Sequence, residues 1–166
     1  MPTELNLNYS LVQKNMKVTG KKSLSNFIEI CLKIIFVVGI LIYITLPLLL
    51  NMYVQFFNPV LNYTAALIIL YVSGIPALII VYEFIKIFNT LKQDNPFTTE
   101  NVKYLKITSI CSLIIAIVYI VGIFFIVSVF EIIAIAIFII AWLGTYVLAE
   151  LLRKAIEFKE ENDLTI

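Results

Sequence analysis

Charged residues divide the chain into long apolar runs. Ile34–Tyr82 and Ile107–Phe130 contain no charged side chain, and Glu131 is the only charge between Ile107 and Ala149. A helix needs about 20 predominantly apolar residues to cross the hydrocarbon core of a bilayer. The pattern therefore predicts four membrane-spanning helices, at about residues 26–50, 63–82, 102–129 and 131–149.

The turns between these spans are marked unevenly. Between the first two spans, NMYVQFFNPVLN holds asparagines, a glutamine and Pro59, which are residue types that interrupt helices. DNPFTTENVKYLK, at residues 94–106, separates the second span from the third. The turn between the third and fourth spans has no comparable polar cluster, so the pattern leaves its position open.

The central polar segment predicts a helical hairpin. Apolar residues in EFIKIFNTLKQ keep helical spacing, so the second helix is expected to continue beyond Tyr82. Pro96 ends that helix, because the residue before a proline disfavours the helical region. Thr98 is a good N-cap for a new helix, and Glu100 suits the positive end of its first turn. We expect residues 83–106 to form a hairpin that projects beyond the lipid headgroups.

Basic residues indicate the orientation. All twelve Lys and Arg residues lie in the N-terminal segment, the central hairpin or the C-terminal segment. Segments on the cytoplasmic side of a membrane are enriched in these residues. Both termini and the hairpin are therefore expected in the cytoplasm, with residues 1–25 as a polar arm and residues 159–166 as an acidic tail.

The composition supports a membrane protein and disfavours several chemistries. The chain is 61% hydrophobic and 14% charged, with a mean hydropathy of +1.01, whereas soluble domains are about half apolar and a quarter charged. A net charge of +1 gives nucleic acid no electrostatic reason to bind directly. Cys31 and Cys111 lack metal or redox spacing and are expected to be small buried residues. No cofactor or metal site is predicted.

Catalysis within the membrane is disfavoured. Histidine is absent, which removes the commonest metal ligand and general base. The predicted spans contain no aspartate, and no lysine lies in them away from their ends, so neither an aspartyl dyad nor a Ser-Lys dyad is expected. We predict that the protein is not an enzyme.

The expected fold is an all-α membrane protein, a bundle of four transmembrane helices. Small residues share one face of the predicted fourth helix, and such residues let helices approach closely. That face is expected to meet another helix, within the bundle or across a dimer. Its residues are Ala134, Ala141, Thr145 and Ala149.

Two motifs and their placement carry a family resemblance. NPFTTENVKYLKI after the second span and EENDLTI at the end of the chain resemble the YoaS-like family of small bacterial membrane proteins, over about Phe27–Ile166. That family is a domain of unknown function. The resemblance implies the bacterial cytoplasmic membrane. Such genes often lie beside one for a small Cro/CI-type helix-turn-helix regulator, which implies control of transcription from the membrane.

These features predict a non-enzymatic adaptor that binds a cytoplasmic transcription regulator through the hairpin and the tail. An alternative explanation of the hairpin residues is turn and cap chemistry, which accounts for most of the same residue types. The candidate partner-binding residues are Asn95, Phe97, Thr98, Glu100, Asn101, Asp163, Leu164 and Ile166.

Two other functions stay open. Immunity to a membrane-active peptide, or a part in small-solute transport, would use the helices themselves, and Pro47 and Ser73–Pro76 are possible kinks. Ionisable residues, however, lie only at predicted span ends, where side chains reach the interface. Aromatic residues near Tyr53 and Tyr63 favour an interfacial belt over an outward-facing binding site.

Overall fold

The structure, a computed structural model, describes residues 2–91, 97–126 and 128–163, with side chains from Ser25 to Asn162 apart from those gaps. It confirms an all-α fold with four long helices. They are α1 (Pro2–Phe56), α2 (Tyr63–Leu91), α3 (Thr99–Gly122) and α4 (Val129–Asp163). The backbone of the predicted polar arm belongs to α1 from Pro2 onward.

Each helix contains a stretch long and apolar enough to cross a membrane, so the chain is a multi-pass membrane protein. At ~1.5 Å per residue, α3 is about 36 Å long, close to the ~30 Å hydrocarbon thickness. With 29 and 35 residues, α2 and α4 are longer than α3. Both are longer than the hydrocarbon core is thick, and the projection of the hairpin beyond the headgroups stays a prediction. The levels at which the bilayer begins and ends along each helix stay predictions.

The turn between α3 and α4 lies earlier than the predicted end of the third span at residue 129. The backbone N–H groups of Phe125 and Ile126 both donate to the Gly122 carbonyl, each at 2.9 Å, and this ends α3. Ser128 then caps α4, since its Oγ accepts a hydrogen bond from the Phe130 N–H at 3.2 Å. The flanking sequence is apolar throughout, so hydrophobic pattern carries no boundary signal there.

The helices pack in chain order, each against its neighbour in the sequence. Close helix contacts join α1 to α2, α2 to α3 and α3 to α4, and over the described residues the backbones of α1 and α4 do not come into contact. Within the most apolar window of α3, 44% of residues are buried, against 6% in α1 and α4. The bundle is therefore open along the side between α1 and α4.

Side-chain hydrogen bonds fix the antiparallel register of neighbouring helices. The Ser25 hydroxyl donates to the Phe88 carbonyl across α1 and α2, at 3.3 Å. The Ser109 hydroxyl donates to the Trp142 carbonyl across α3 and α4, also at 3.3 Å. One end of the bundle, the hairpin end, thus carries the α2–α3 connection and the C-terminal part of α4. The opposite end, the loop end, carries connections 57–62 and 123–128.

A glycine lets α1 and α2 pack closely near mid-helix. The Tyr43 ring meets the Tyr71 ring edge-on at 5.1 Å between centroids, and its hydroxyl donates to the Tyr71 carbonyl at 3.3 Å. A Cβ on Gly74 would lie 2.7 Å from two carbons of the Tyr43 ring. Both α1 and α2 stay helical through their prolines, Pro47 and Pro76.

We predict that Gly74→Ala destabilises the folded protein. The new methyl group must displace the Tyr43 ring, and overpacking of this kind costs about 1–3 kcal/mol. Thermal unfolding in detergent, followed by fluorescence of the single tryptophan, should show a lower midpoint. Gly144→Ala is the matched control, because nothing lies within 4 Å of a Cβ there. Equal midpoints for the two variants would contradict the packing of Tyr43 on Gly74.

Candidate functional site

The hairpin tip, residues 97–101, contains four of the predicted partner-binding residues. Phe97 is 47% exposed and Glu100 is exposed in the first turn of α3. Thr98 is the N-cap of α3, as predicted, and its hydroxyl accepts a hydrogen bond from the Asn101 N–H at 3.3 Å. Phe97 and Glu100 therefore face outward, whereas Thr98 shapes the turn.

Asn101 connects the two arms of the hairpin. Its side chain is 2% exposed, and its Oδ1 accepts a hydrogen bond from the Thr90 hydroxyl at 2.6 Å. This bond holds the end of α2 to the start of α3. The hydrogen bond of Asn101 to Thr90 therefore has a structural role. Binding of a partner by Asn101 stays a prediction. The predicted residues Asn95, Leu164 and Ile166, and the side chain of Asp163, lie outside the described residues.

The second candidate surface is the α4 extension, defined as residues 150–162. The Ser109–Trp142 hydrogen bond sets the antiparallel register of α3 and α4. Since α3 begins at Thr99 while α4 continues to Asp163, the last turns of α4 project beyond α3. Arg153 pairs with both Glu150 and Glu157 along this helix.

Apolar side chains accompany these charges on the α4 extension. Leu151 is 59% exposed and Phe158 is 66% exposed. They stand about two helical turns apart and therefore share a face. Ala155 lies between them on the same face and is half-buried. The α4 extension thus presents an amphipathic helix at the same end of the molecule as the hairpin tip.

Buried hydroxyl groups, which were not predicted from the sequence, line the packing face of α3. Thr108, Ser109 and Ser112 are 1–2% exposed. The Ser112 hydroxyl donates to the Thr108 carbonyl at 2.9 Å. Small residues with hydroxyls bonded to helix carbonyls let neighbouring helices approach closely. Their spacing of three and four residues was the available signal for this face.

Glu83 is the buried acid of the α2–α3 contact. Its side chain is 6% exposed, and its Oε1 lies 3.0 Å from Nζ of Lys86. The ammonium also lies over the rings of Tyr82, at 4.2 Å, and Tyr104, at 5.1 Å. Glu83 is one of the ionisable residues at the predicted span ends, and the structure buries its side chain between helices. The acid and base three residues apart at a span end could have indicated this pair.

The second carboxylate oxygen of Glu83, Oε2, does not share the contact that Oε1 makes with Lys86. Oε2 is buried without a hydrogen-bond partner among the described residues, as is the hydroxyl oxygen of Thr108. Lys86, with a side chain 33% exposed, is therefore the main compensation for the Glu83 charge. The Glu83–Lys86 pair lies at the start of the hairpin, between the membrane-spanning part of α2 and the hairpin tip.

The predicted packing residues of α4 lie in different surroundings. Ala149 is completely buried, and Thr145 is half-buried, with its hydroxyl donating to the Ala141 carbonyl at 2.7 Å. Ala134 lines a cavity at the loop end. Of the predicted buried cysteines, Cys111 is buried and Cys31 is half-buried.

Removing the Lys86 ammonium should destabilise the protein more than neutralising Glu83. Lys86→Met leaves a buried carboxylate uncompensated, which costs about 1–3 kcal/mol, whereas Glu83→Gln removes that charge as well as the ion pair. Unfolding midpoints of both single variants and the double variant test this. We expect the double variant to recover part of the Lys86→Met loss. Arg153→Met, in an exposed pair, is the control and should leave the midpoint unchanged. Additive losses in the double variant would show that Glu83 and Lys86 are not coupled.

The chain matches a protein family over most of its length. Residues 44–166 match the profile of a family described as "Protein of unknown function (DUF2975)". No curated protein and no solved structure matches the chain. The matched part contains α2, α3 and α4 completely and the end of α1. It begins later than the resemblance noted from the sequence, which started near Phe27.

Proposed function

The chain belongs to the DUF2975 family of proteins of unknown function, and from that premise we propose that it is a non-enzymatic membrane adaptor. In this proposal it holds a small cytoplasmic transcription regulator at the bacterial cytoplasmic membrane. The regulator is expected to be of the helix-turn-helix type, following the resemblance given above. The protein itself makes no direct contact with nucleic acid in this scheme.

The α4 extension is the observation that carries the proposal. A helix that served only to cross the bilayer would need about 20 residues, and α4 has 35. In the proposed topology its end lies beyond the membrane and offers exposed Leu151 and Phe158 beside charged residues. An amphipathic helix whose apolar residues recur at such spacing is a common ligand for a groove in a partner protein.

The hairpin tip supplies a second contact in this scheme. Phe97 and Glu100 are exposed there, and the Thr90–Asn101 hydrogen bond joins the tip to the end of α2. A surface held in place loses less conformational entropy on binding than a mobile loop. Thr98 and Asn101 therefore support recognition indirectly, by positioning the side chains that face outward.

The proposed orientation places the hairpin end in the cytoplasm. All twelve basic residues lie in segments of that end, and the loop end has none, which agrees with the positive-inside rule. Both candidate surfaces then face the compartment that contains the regulator.

Cysteine labelling tests this orientation in intact bacterial cells. In a chain with Cys31→Ala and Cys111→Ala, we expect Val60→Cys to react with a membrane-impermeant maleimide, because Val60 is 91% exposed at the loop end. Lys159→Cys at the hairpin end should react only after the cells are opened. The reverse pattern would invert the proposed topology and remove the adaptor function with it.

Photo-crosslinking tests the partner-binding surfaces. We expect a photoreactive phenylalanine at Phe158 or Phe97 to capture a helix-turn-helix protein in native membranes. The same group at Phe124, which is 84% exposed at the loop end, is the matched control and should not capture it. Leu151→Ser together with Phe158→Ser should abolish co-purification of the captured protein. Recovery of no cytoplasmic protein from either hairpin-end position would refute the adaptor proposal.

One observation favours a second function. The bundle is open between α1 and α4, and cavities on that side are lined by residues of all four helices. This arrangement suits immunity to a membrane-active peptide or a part in small-solute transport. Deletion of the gene would then alter sensitivity to such peptides without changing the location of any transcription regulator.

A further inference from the structure

A cavity of about 600 Å³ lies at the loop end of the open side. Residues of all four helices and of both loop-end connections line it. The volume is within the ~300–1,000 Å³ range of pockets that bind small molecules. Leu70 and Tyr119 also line a second cavity of about 300 Å³, toward the middle of the bundle. The two cavities therefore adjoin at these side chains.

Glu131 is the charged residue that lines the larger cavity. No basic residue is near it in the sequence, because Glu131 is the only charge between Ile107 and Ala149. The other half of the loop end belongs to Ile34–Tyr82, which has no charge either. The nearest basic residues in the sequence, Lys106 and Arg153, belong to the hairpin end. Glu131 is half-buried, and a carboxylate partly removed from water is stabilised by a nearby cation.

Glu131 lies in the first turn of α4, beside the cap that Ser128 forms with the Phe130 N–H. The positive end of the helix dipole favours an acid in this position. Its Oε2 atom is buried and has no hydrogen-bond partner among the described residues. The helix end therefore accounts for the position of Glu131 and not for this oxygen.

The walls of the cavity are suited to an organic cation. Tyr53, Tyr119, Phe125 and Phe130 all line it, and aromatic faces attract ammonium groups. The remaining lining is largely aliphatic, with Asn58 and Asn62 at the loop side. The cavity thus combines one negative charge with a mainly apolar surface.

We propose that this cavity binds an amphipathic organic amine, with the Glu131 side chain turning so that its covered Oε2 pairs with the ammonium group, and with the apolar body of the amine among the aromatic side chains. The site is independent of the proposed adaptor function. An ammonium group is also present in the headgroup of phosphatidylethanolamine, but that headgroup carries a phosphate. No lysine or arginine lies at the loop end to pair with a phosphate, so a free amine fits better.

Binding of phenethylamine to the full chain in phosphatidylcholine nanodiscs tests the proposal. Phenethyl alcohol is the neutral comparison, because it has a similar shape and no ammonium group. We expect saturable binding of the amine, measured by saturation-transfer difference NMR, and a dissociation constant raised about tenfold or more by Glu131→Gln. Glutamine has nearly the same size and shape as glutamate, so the variant should fold. Glu150→Gln, at the hairpin end, should bind like the wild type.

Ala134→Leu gives a second route to the same conclusion. Ala134 lines the cavity, so a larger side chain should weaken amine binding while Glu131 keeps its charge. Equal binding of phenethylamine and phenethyl alcohol, or unchanged affinity in Glu131→Gln, would overturn the proposal. Loss of amine binding when phosphatidylethanolamine is included in the nanodisc would overturn the free amine as the occupant and identify the lipid headgroup instead.

Discussion

The packing of α3 against both α2 and α4 is the contact on which the membrane domain depends. Hydrophobic burial does not drive helices together within lipid, so close packing and hydrogen bonds between helices must do so. Thr108, Ser109 and Ser112 are small and buried, which allows the close packing, and Ser109 also donates a hydrogen bond to the Trp142 carbonyl of α4. The outer helices, α1 and α4, each pack on one neighbour only within the described residues. The open side and its cavities follow from that arrangement.

The two ends of the bundle have opposite electrostatic character. Basic residues and most acids lie at the hairpin end, where Lys86 compensates Glu83 and Arg153 pairs along α4. The loop end has Glu131 and no basic residue. Protein partners with charged surfaces are therefore suited to the hairpin end, and small cations to the loop end. The two proposals concern different ends and different ligands, so each can fail without the other.

Residue type alone did not distinguish recognition from local structure in the hairpin. Asn101 and Glu100 are both polar and adjacent in the sequence, yet one is buried against Thr90 and the other is exposed. A helix rotates its side chains by about 100° per residue, so neighbours point in different directions. Only the position of α2 beside α3 determines which of them is covered. The turn chemistry and the exposed surface therefore coexist within one short segment.

The sequence by itself determined the number of helices, the hairpin, the Thr98 cap and the asymmetry of charge. These depend on local propensity and on the length of apolar runs, which are properties of consecutive residues. The tertiary structure decided the burial of Glu83, the close approach of Tyr43 to Gly74 and the cavity around Glu131. In a chain that is apolar on every side, hydrophobic pattern does not show which helix faces meet. Helix contacts and cavities arise from shape and from hydrogen bonds between distant residues, and these exist only after the helices have packed.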